Sequence, residues 1–234
     1  MKAEQLRQKL VSLASPEIAA HSQRFFKTGK GEYGAGDQFL GIRVPLLRQQ
    51  VKTFQSISLT EVVRSLKSVY HEERLCALLI LVRKFERGDA AQRDRVYKLY
   101  LNNTRYINNW DLVDSSAYQI IGAYLMERDR TPLYELVASD SLWERRMAII
   151  ATYCFIKDNQ FHDTLALSKE LLNDKQDLIH KAVGWMLREV GNRDRKGEQQ
   201  FLNKYYKVMP RTMLRYAIEK FPESLRQKYL KGDI

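Results

Sequence analysis

Apolar residues recur along almost the whole chain at the spacing of an α-helix, and this periodicity restricts the chain to an all-α fold. Between residues 178 and 190 the apolar positions return every four residues and define one buried helix face: Leu178-Ile179, Ala182-Val183, Met186-Leu187 and Val190. No stretch shows the alternation of apolar and polar residues that is typical of a strand. Five prolines each follow a break and open a periodic segment, where the missing N–H costs nothing: Pro16, Pro45, Pro132, Pro210 and Pro222.

A second, longer periodicity indicates how the helices are arranged. Five predicted helices carry an alanine at a comparable position: Ala77, Ala117, Ala148, Ala182 and Ala217. Successive alanines are 40, 31, 34 and 35 residues apart. This length fits a repeat of two antiparallel helices, each too amphipathic to be stable alone, stacked on its neighbours. We predict a curved solenoid of HEAT-like helix pairs, with a single irregular helical bundle as the alternative.

The predicted organisation is one domain over residues 1–234, a length sufficient for a sizeable core. It comprises an N-terminal helical cap of two or three helices over 1–55, helix-pair repeats over 56–220, and a C-terminal helix over 221–234. The predicted pairs are 59–70 with 72–86, 90–102 with 110–126, 131–138 with 142–156, 161–172 with 176–190, and 197–208 with 210–220.

The charge of the chain is strongly positive. The chain has 39 Lys and Arg against 28 Asp and Glu, a formal net charge of +11 and a pI near 9.6. From Lys181 to Ile234 there are 13 basic and 6 acidic residues, a local net charge of +7. Such a surface favours a polyanionic partner, of which nucleic acid is the usual one. A basic protein without a specific partner fits the charge alone equally well.

The remaining composition favours a cytoplasmic protein without a metal or cofactor. Cys76 and Cys154 are isolated thiols on apolar helical segments, as expected for core residues in a reducing compartment. The four histidines, His21, His71, His162 and His180, lack the spacing of metal ligands. No apolar run resembles a signal peptide or approaches a membrane span in length, so we expect no membrane association.

The glycine-rich stretch from Gly29 to Gly41 includes a formal G-x-G-x-x-G over residues 29–34. It follows a predicted helix instead of a strand, and no βαβ unit surrounds it, so we interpret the match as a coincidence. The better prediction is a mobile loop that carries Lys30 and Tyr33. Two interpretations stay open: a plain linker, which is favoured, and a contact with a phosphate backbone.

The segment Trp110-Asp111-Leu112-Val113-Asp114 carries the strongest functional signal. Trp110 and Asp114 are four residues apart, so on a helix their side chains are neighbours. Asp111 lies in the first turn, where an acidic residue complements the helix N-terminus. Asp114 lies a turn too deep for that role and is flanked by apolar residues. It either satisfies a local polar group or takes part in chemistry.

In a solenoid the second helices of successive pairs are expected to line one concave surface. Their unusual polar and aromatic residues are Trp110, Asp114, Trp143, Arg145, Arg146, Lys181, Trp185, Arg188, Arg211 and Arg215. Aromatic rings in a basic surface stack on nucleobases or sugars, and Arg and Lys bind phosphates. Core packing is the favoured role of Trp143, whereas packing and function are equally open for Trp185. For Arg145 and Arg146 ordinary solvation or a structural ion pair is the default interpretation.

Four segments, taken together, resemble the AlkD-type DNA alkylation repair glycosylases, bacterial proteins of similar length built from HEAT-like repeats. The segments occur in the family's order over roughly residues 35 to 220: Phe39-Leu40-Gly41-Ile42-Arg43-Val44-Pro45, Trp110-Asp111-Leu112-Val113-Asp114, Trp143-Glu144-Arg145-Arg146-Met147-Ala148-Ile149, and Lys181-Ala182-Val183-Gly184-Trp185-Met186-Leu187-Arg188-Glu189.

The resemblance implies the excision of N3- and N7-alkylated purines from double-stranded DNA by a monomer without a metal or cofactor, bound to the nucleoid when on DNA. It places the family's catalytic aspartate on Asp114, its two tryptophans on Trp110 and Trp185, and its arginine on Arg146. Residues expected to contact DNA are Arg43, Arg145, Lys181, Arg188, Arg211, Arg215 and Tyr33. The chain departs from relatives at Arg43, where others can carry a neutral polar residue, and in the loop around Tyr33.

The residue inventory agrees with this chemistry. An alkylated N3 or N7 purine is already cationic, so it leaves without a general acid. One carboxylate can then stabilise the positive charge that develops on the deoxyribose and position the attacking water. Apart from Lys181 no residue is suited to Schiff-base chemistry, so we predict base removal without a lyase step. The alternatives are a catalytically inactive HEAT-like module that binds nucleic acid and a protein-interaction solenoid.

Overall fold

The computed structural model describes all residues from 1 to 234, and its regular elements are helices without a single strand. The nearest approach to sheet structure is one isolated bridge between Gln38 and Tyr70. The prediction of an all-α fold is therefore confirmed. The chain forms two units, Met1–Ile120 and Ile121–Ile234.

The first unit is built around one long helix, α5. Its helices are α1 (Ala3–Val11), α2 (Pro16–Phe25), α3 (Val44–Thr53), α4 (Leu59–Leu66), α5 (His71–Arg87), α6 (Ala90–Leu101) and α7 (Trp110–Asp114). Helix α5 packs against α1, α3, α4, α6 and α7. Every residue of α5 from Leu75 to Val82 is buried, because neighbouring helices cover it on all sides. The predicted N-terminal cap over 1–55 thus contains three helices.

The second unit is built around α13. A π-helical segment, Tyr118–Gly122, crosses the boundary between the units. The helices that follow are α8 (Ala123–Leu125), α9 (Thr131–Val137), α10 (Leu142–Ala151), α11 (Tyr153–Lys157), α12 (His162–Glu170), α13 (Asp177–Gly191), α14 (Arg195–Tyr205), α15 (Arg211–Ala217) and α16 (Glu223–Lys231). Helix α13 packs against α10, α11, α12, α14 and α15. Its predicted apolar face is buried from Ile179 to Val190, whereas Leu178 is only half-buried.

Three of the five predicted helix pairs pack closely against each other: α4 with α5, α9 with α10, and α12 with α13. The five alanines that define the spacing, Ala77, Ala117, Ala148, Ala182 and Ala217, are all fully buried. A methyl side chain at these positions leaves room for a neighbouring helix to approach closely. Each of the two units therefore contains packed helix pairs with a small buried residue in the second helix.

Two predicted helices are interrupted in the structure. The helix predicted over 142–156 is divided at Thr152 into α10 and α11. The helix predicted over 110–126 is interrupted after Asp114, and π-helical geometry follows over Tyr118–Gly122. The Ser116 hydroxyl donates a hydrogen bond to the Leu112 carbonyl at 2.5 Å and bonds to the Tyr100 hydroxyl at 2.8 Å. A serine bonded back to a carbonyl four residues earlier competes with the regular helical bond there, which explains the break.

The prolines and Cys76 lie where the sequence predicts them, whereas Cys154 is less buried than a core residue. Pro16, Pro45 and Pro132 occupy the first or second position of their helices, and Pro210 and Pro222 directly precede α15 and α16. Cys76 is fully buried, Cys154 is half-buried, and both are free thiols. Burial raises the pKa of the Cys76 thiol to about 12, as expected for a core residue. No helix combines the length and apolar character that crossing a lipid bilayer requires.

Candidate active site

Helix α7 presents Trp110 and Asp114 together, as predicted. The helix begins at Trp110 and ends at Asp114, so the two side chains are one turn apart on the same face. Asn109 precedes the helix, and its side-chain oxygen accepts a hydrogen bond from the Trp110 N–H at 2.9 Å. Both Trp110 and Asp114 are half-buried. The pair therefore lies where buried residues meet solvent.

The Trp110 ring belongs to an aromatic cluster that the sequence did not reveal. It stacks on Phe26 with the ring centroids 5.4 Å apart and the planes at 18°. Phe25, the last residue of α2, meets Trp110 edge-on at 6.1 Å and is 58% exposed. Stacked and edge-to-face contacts of this kind hold an indole in one orientation. Trp110 is thus a fixed aromatic surface with a second, exposed ring beside it.

Asp114 lies at the edge of a fully buried layer. Leu112, Val113 and Ala117 next to it are fully buried. Burial raises the pKa of the Tyr100 hydroxyl well above its usual value, and the negative charge of Asp114 adds to that increase. Asp114 is therefore close to a buried hydroxyl and at the border of apolar surroundings. A carboxylate in such a partly desolvated place interacts strongly with a nearby positive charge.

Asp111 takes part in a buried ionic cluster in addition to its place in the first turn of α7. Its Oδ2 is 2.8 Å from Nε2 of His71, and Nδ1 of His71 is 3.2 Å from Oδ2 of Asp37. Asp37 also accepts hydrogen bonds from Arg74 at 2.6 Å and from the Asn109 side chain at 3.2 Å. These five residues, Asp37, His71, Arg74, Asn109 and Asp111, are called the His71 cluster below.

The His71 cluster keeps its charges although four of its members are buried and the fifth, Asp111, is half-buried. Burial opposes the imidazolium, but hydrogen bonds to Asp111 and Asp37 outweigh it and raise the pKa of His71 to about 9. Burial likewise opposes the Asp37 carboxylate, but His71, Arg74 and Asn109 hold the pKa of Asp37 below its usual value. Sequence reasoning missed this cluster because the partners that bond to each other are 34 to 72 residues apart along the chain. No local pattern brings them together.

The segment from Gly29 to Gly41 is folded against α2 and α5, in contrast to the mobile loop that the sequence suggested. The Gly34 N–H donates to the Lys27 carbonyl at 3.1 Å, and a side chain at Gly34 would lie 2.4 Å from the Phe26 carbonyl oxygen. Nearby, the N–H groups of Leu40 and Gly41 donate to the buried Glu72 carboxylate at 2.9 and 2.7 Å. The glycines here permit close backbone packing.

The segment from Gly29 to Gly41 lacks the surroundings of a dinucleotide phosphate-binding loop. Lys30 is exposed and Tyr33 is half-buried. No strand precedes the G-x-G-x-x-G match, so its interpretation as a coincidence is consistent with the fold. The DNA contact predicted for Tyr33 stays a prediction.

In the second unit, Trp185 and Trp143 are both half-buried. The Trp185 Nε1–H donates to Oε1 of Glu189 at 3.3 Å, and its ring centroid is 6.2 Å from that of Tyr153. Trp185 is therefore oriented by a carboxylate on its own helix and by a neighbouring ring. Trp143, for which core packing was favoured, is not fully enclosed.

Arg145 and Arg146 have structural partners. Arg146 is 5% exposed, and its Nη1 donates to the Leu178 carbonyl. Arg145 forms an ion pair with Asp174 at 2.7 Å and donates to the carbonyls of Ser139 and Asp140. Arg145 thus connects α10 to the segment before α13, and Arg146 connects α10 to the first turn of α13.

The other predicted DNA-binding residues fall into two groups. Lys181 pairs with Asp177 at 2.7 Å, and Arg188 pairs with Glu219. Three arginines are exposed and form no ion pair: Arg43, Arg211 and Arg215. No group of three or more His, Cys, Asp and Glu side chains is placed to hold a metal ion.

The features described so far are paired helices, a formal net charge of +11 and a short helix that carries Trp110 and Asp114. Residues 6–221 match the family of DNA alkylation repair enzymes, so the chain belongs to that family. A solved structure described as a predicted DNA alkylation repair enzyme from Enterococcus faecalis has a similar fold, with a TM-score of 0.68. The two chains are 16% identical over 90% of this chain and 97% of that one. None of the curated proteins matches this chain.

Proposed function

We propose that this protein is a DNA glycosylase that hydrolyses the N-glycosidic bond of N3- and N7-alkylated purines in duplex DNA. The observation that carries the proposal is the pairing of Asp114 with Trp110 on α7, at the border of a buried layer, in a chain of the DNA alkylation repair family. The enzyme acts as a monomer and needs no metal or cofactor.

Asp114 stabilises the charge that forms during bond cleavage. An alkylated N3 or N7 purine leaves as a neutral base, so positive charge develops on the deoxyribose as the glycosidic bond lengthens. A carboxylate fixed in apolar surroundings stabilises that oxocarbenium-like state without first reorganising. Asp114, with Leu112, Val113 and Ala117 fully buried beside it, meets this requirement. The same oxygens orient the water that attacks the sugar.

Trp110 offers a rigid aromatic surface to the cationic nucleotide. Phe26 supports its ring at a centroid distance of 5.4 Å, so little freedom is lost when a ligand binds. A cation held against an indole gains about 0.5–2 kcal/mol. The exposed edge of Phe25 extends this surface.

The positive charge of the chain supplies affinity for the DNA backbone. The geometry supports phosphate contacts by Arg43, Arg211 and Arg215 most directly, because these side chains are exposed and form no ion pair. Arg146 is nearly buried and already bonded to the Leu178 carbonyl, so its predicted phosphate contact stands on the family resemblance alone. The roles predicted for Trp185, Arg145, Lys181 and Arg188 rest on the same basis.

The direct test is base release from methylated duplex DNA in the presence of a metal chelator. We expect free 7-methylguanine and 3-methyladenine, identified by mass spectrometry, and abasic sites in strands that stay intact until they are treated with alkali. DNA binding without base release would favour the inactive nucleic-acid-binding module. Neither binding nor release would favour the protein-interaction solenoid.

A further inference from the structure

We propose that His71 is a positioning residue: held between Asp37 and Asp111, it fixes the orientation of α7 and thereby the place of Trp110 and Asp114. The consequence for catalysis rests on the glycosylase function proposed above. The consequence for the orientation of α7 does not depend on it, and the experiment below measures the two separately.

The hydrogen bonds of His71 require a particular charge state. Both ring nitrogens face carboxylate oxygens, at 3.2 Å to Asp37 and 2.8 Å to Asp111. An ionised carboxylate only accepts hydrogen bonds, so both nitrogens must donate, which only the imidazolium does. With Arg74 on the other oxygen of Asp37, the cluster contains two cations and two anions. This balance makes the burial of His71, which is 2% exposed, tolerable.

The cluster holds the start of α7 at two points. Asp111 in the first turn bonds to His71, and Asn109, directly before the helix, donates to the same Asp37 oxygen that His71 contacts. Asn109 in turn accepts from the Trp110 N–H. Asp37 and His71 thus determine where the helix begins and how it is rotated.

His71 is also linked to Trp110 through contacts between aromatic rings. The His71 ring stacks on Phe39 at a centroid distance of 4.6 Å and lies 5.0 Å from Phe26. Phe26 stacks in turn on Trp110. A shift of His71 would therefore disturb the Trp110 ring as well as the backbone of α7.

Helix α7 depends on such support because it has only five residues. One helical turn is not stable by itself in water, so its orientation comes from the groups that hold it. Small displacements of a catalytic group have large effects on rate: about 1 Å can cost on the order of 100-fold. The cluster is therefore placed to set the efficiency of Asp114 without touching the substrate.

The experiment compares Asp111→Ala with Asp111→Asn. In the asparagine variant a neutral His71 still donates from Nδ1 to Asp37 and accepts at Nε2 from the new amide, so the link between α5 and α7 persists. In the alanine variant the link is lost. We expect Asp111→Ala to lower kcat for 7-methylguanine release by about 10–100-fold with little change in KM, and Asp111→Asn to recover most of that loss. Equal kcat values for the two variants would overturn the proposal.

A stability control separates positioning from a general loss of structure. Leu10 on α1 is fully buried, and α1 packs against α4 and α5. Leu10→Ala destabilises the protein by leaving a cavity. We expect its kcat, per folded molecule, to equal that of the parent. A kcat loss in Leu10→Ala as large as in Asp111→Ala would assign the effect to stability and contradict the proposal.

The orientation of α7 is measured independently of activity by fluorine NMR on protein labelled with 5-fluorotryptophan. The chain has three tryptophans, and the Trp110 signal is assigned through Trp110→Phe. We expect the Trp110 signal to shift or broaden in Asp111→Ala and to keep its position in Asp111→Asn. An unchanged Trp110 signal in Asp111→Ala would refute the positioning role even if the protein released no base. Absence of base release by the parent, with the expected NMR changes, would refute the proposed function alone.

Discussion

Each of the two units buries an ionisable group whose pKa is raised. The rise keeps a histidine charged in the first unit and makes a glutamate neutral in the second. In the first unit His71 has a pKa of about 9, because Asp111 and Asp37 overcome the cost of burial. In the second unit burial, only partly offset by Arg195 and Arg188, raises the pKa of Glu198 to about 8. His71 is therefore charged in the folded protein at neutral pH, whereas Glu198 is mostly neutral.

The difference follows from the number of partners. His71 has a carboxylate on each ring nitrogen, both at hydrogen-bond distance. Glu198 is fully buried, but its ion pair at 3.1 Å is with Arg195, whose side chain is 40% exposed. Its Oε1 has no hydrogen-bond partner. A buried group thus keeps its charge where counter-charges surround it and takes up a proton where they do not.

The largest expected effect concerns Glu198. Its pKa is about 8 in the folded protein and near 4.5 in the unfolded chain, so folding takes up a proton between these values. The free energy of unfolding therefore falls as the pH rises from 4.5 to 8. Glutamine does not titrate, so the stability of Glu198→Gln relative to the parent should rise by about 4 kcal/mol over that window. Urea unfolding at several pH values measures this, and a constant difference would contradict the assignment.

The next effect concerns Asp37, which joins both cations of the His71 cluster. Asp37→Asn leaves His71 and Arg74 buried beside a neutral amide, so we expect a loss of about 3 kcal/mol in the free energy of unfolding at pH 7. The matched control is Asp177→Asn, which breaks the exposed pair with Lys181. That control should cost less than about 1 kcal/mol. Equal losses in the two variants would remove the distinction between the buried cluster and the surface pair.

A smaller effect isolates the charge on His71. Its folded pKa of about 9 exceeds the unfolded value of 6.5, so its contribution to stability is complete below pH 6.5 and is lost as the pH rises through 9. The stability of the parent relative to His71→Gln should fall by about 2–3 kcal/mol between these pH values. Glu198 titrates in both proteins and cancels. A flat difference would mean that His71 is neutral in the folded state.

The smallest effect concerns the exposed arginines of the second unit. Arg211→Ala/Arg215→Ala should weaken binding to undamaged duplex DNA and reduce the slope of log Kd against log salt by about 2. The control Arg64→Ala/Lys98→Ala removes the same formal charge from exposed residues of the first unit that pair with Glu61 and Asp94. The control should keep the parental slope. Equal slopes for both double variants would assign DNA affinity to net charge alone.

The parts of the structure that the sequence predicted depend on local patterns. Helical periodicity and the spacing of the five buried alanines predicted the helices and three of their pairs, because each signal lies within one helix or one repeat. The break after Asp114 was missed because a serine is compatible with a continuous helical pattern, and the pattern does not show that the Ser116 hydroxyl bonds to the Leu112 carbonyl. The proximity of Trp110 and Asp114 was therefore predicted better than the length of the helix that carries them.

The parts that escaped prediction depend on partners far apart in sequence. His71 is 34 residues from Asp37 and 40 from Asp111. For Arg145 the sequence left a structural ion pair open but did not identify its partner, Asp174, which is 29 residues away. By contrast, the Lys181–Asp177 pair follows the four-residue spacing of a helix and is the kind that sequence can anticipate. The sequence assigned Asp111 only to the N-terminus of its helix, because its contact with the His71 imidazole is visible only in the folded protein.

The most direct test of the account is the single-turnover rate of 7-methylguanine release by Asp114→Asn. Asparagine keeps the shape of the side chain and removes the charge that is proposed to face the cationic sugar. We predict a rate at least about 100-fold below that of the parent, from a protein that is still folded and whose binding to methylated DNA is unweakened. Release of the base by Asp114→Asn at the parental rate would contradict the central claim that this carboxylate carries the chemistry.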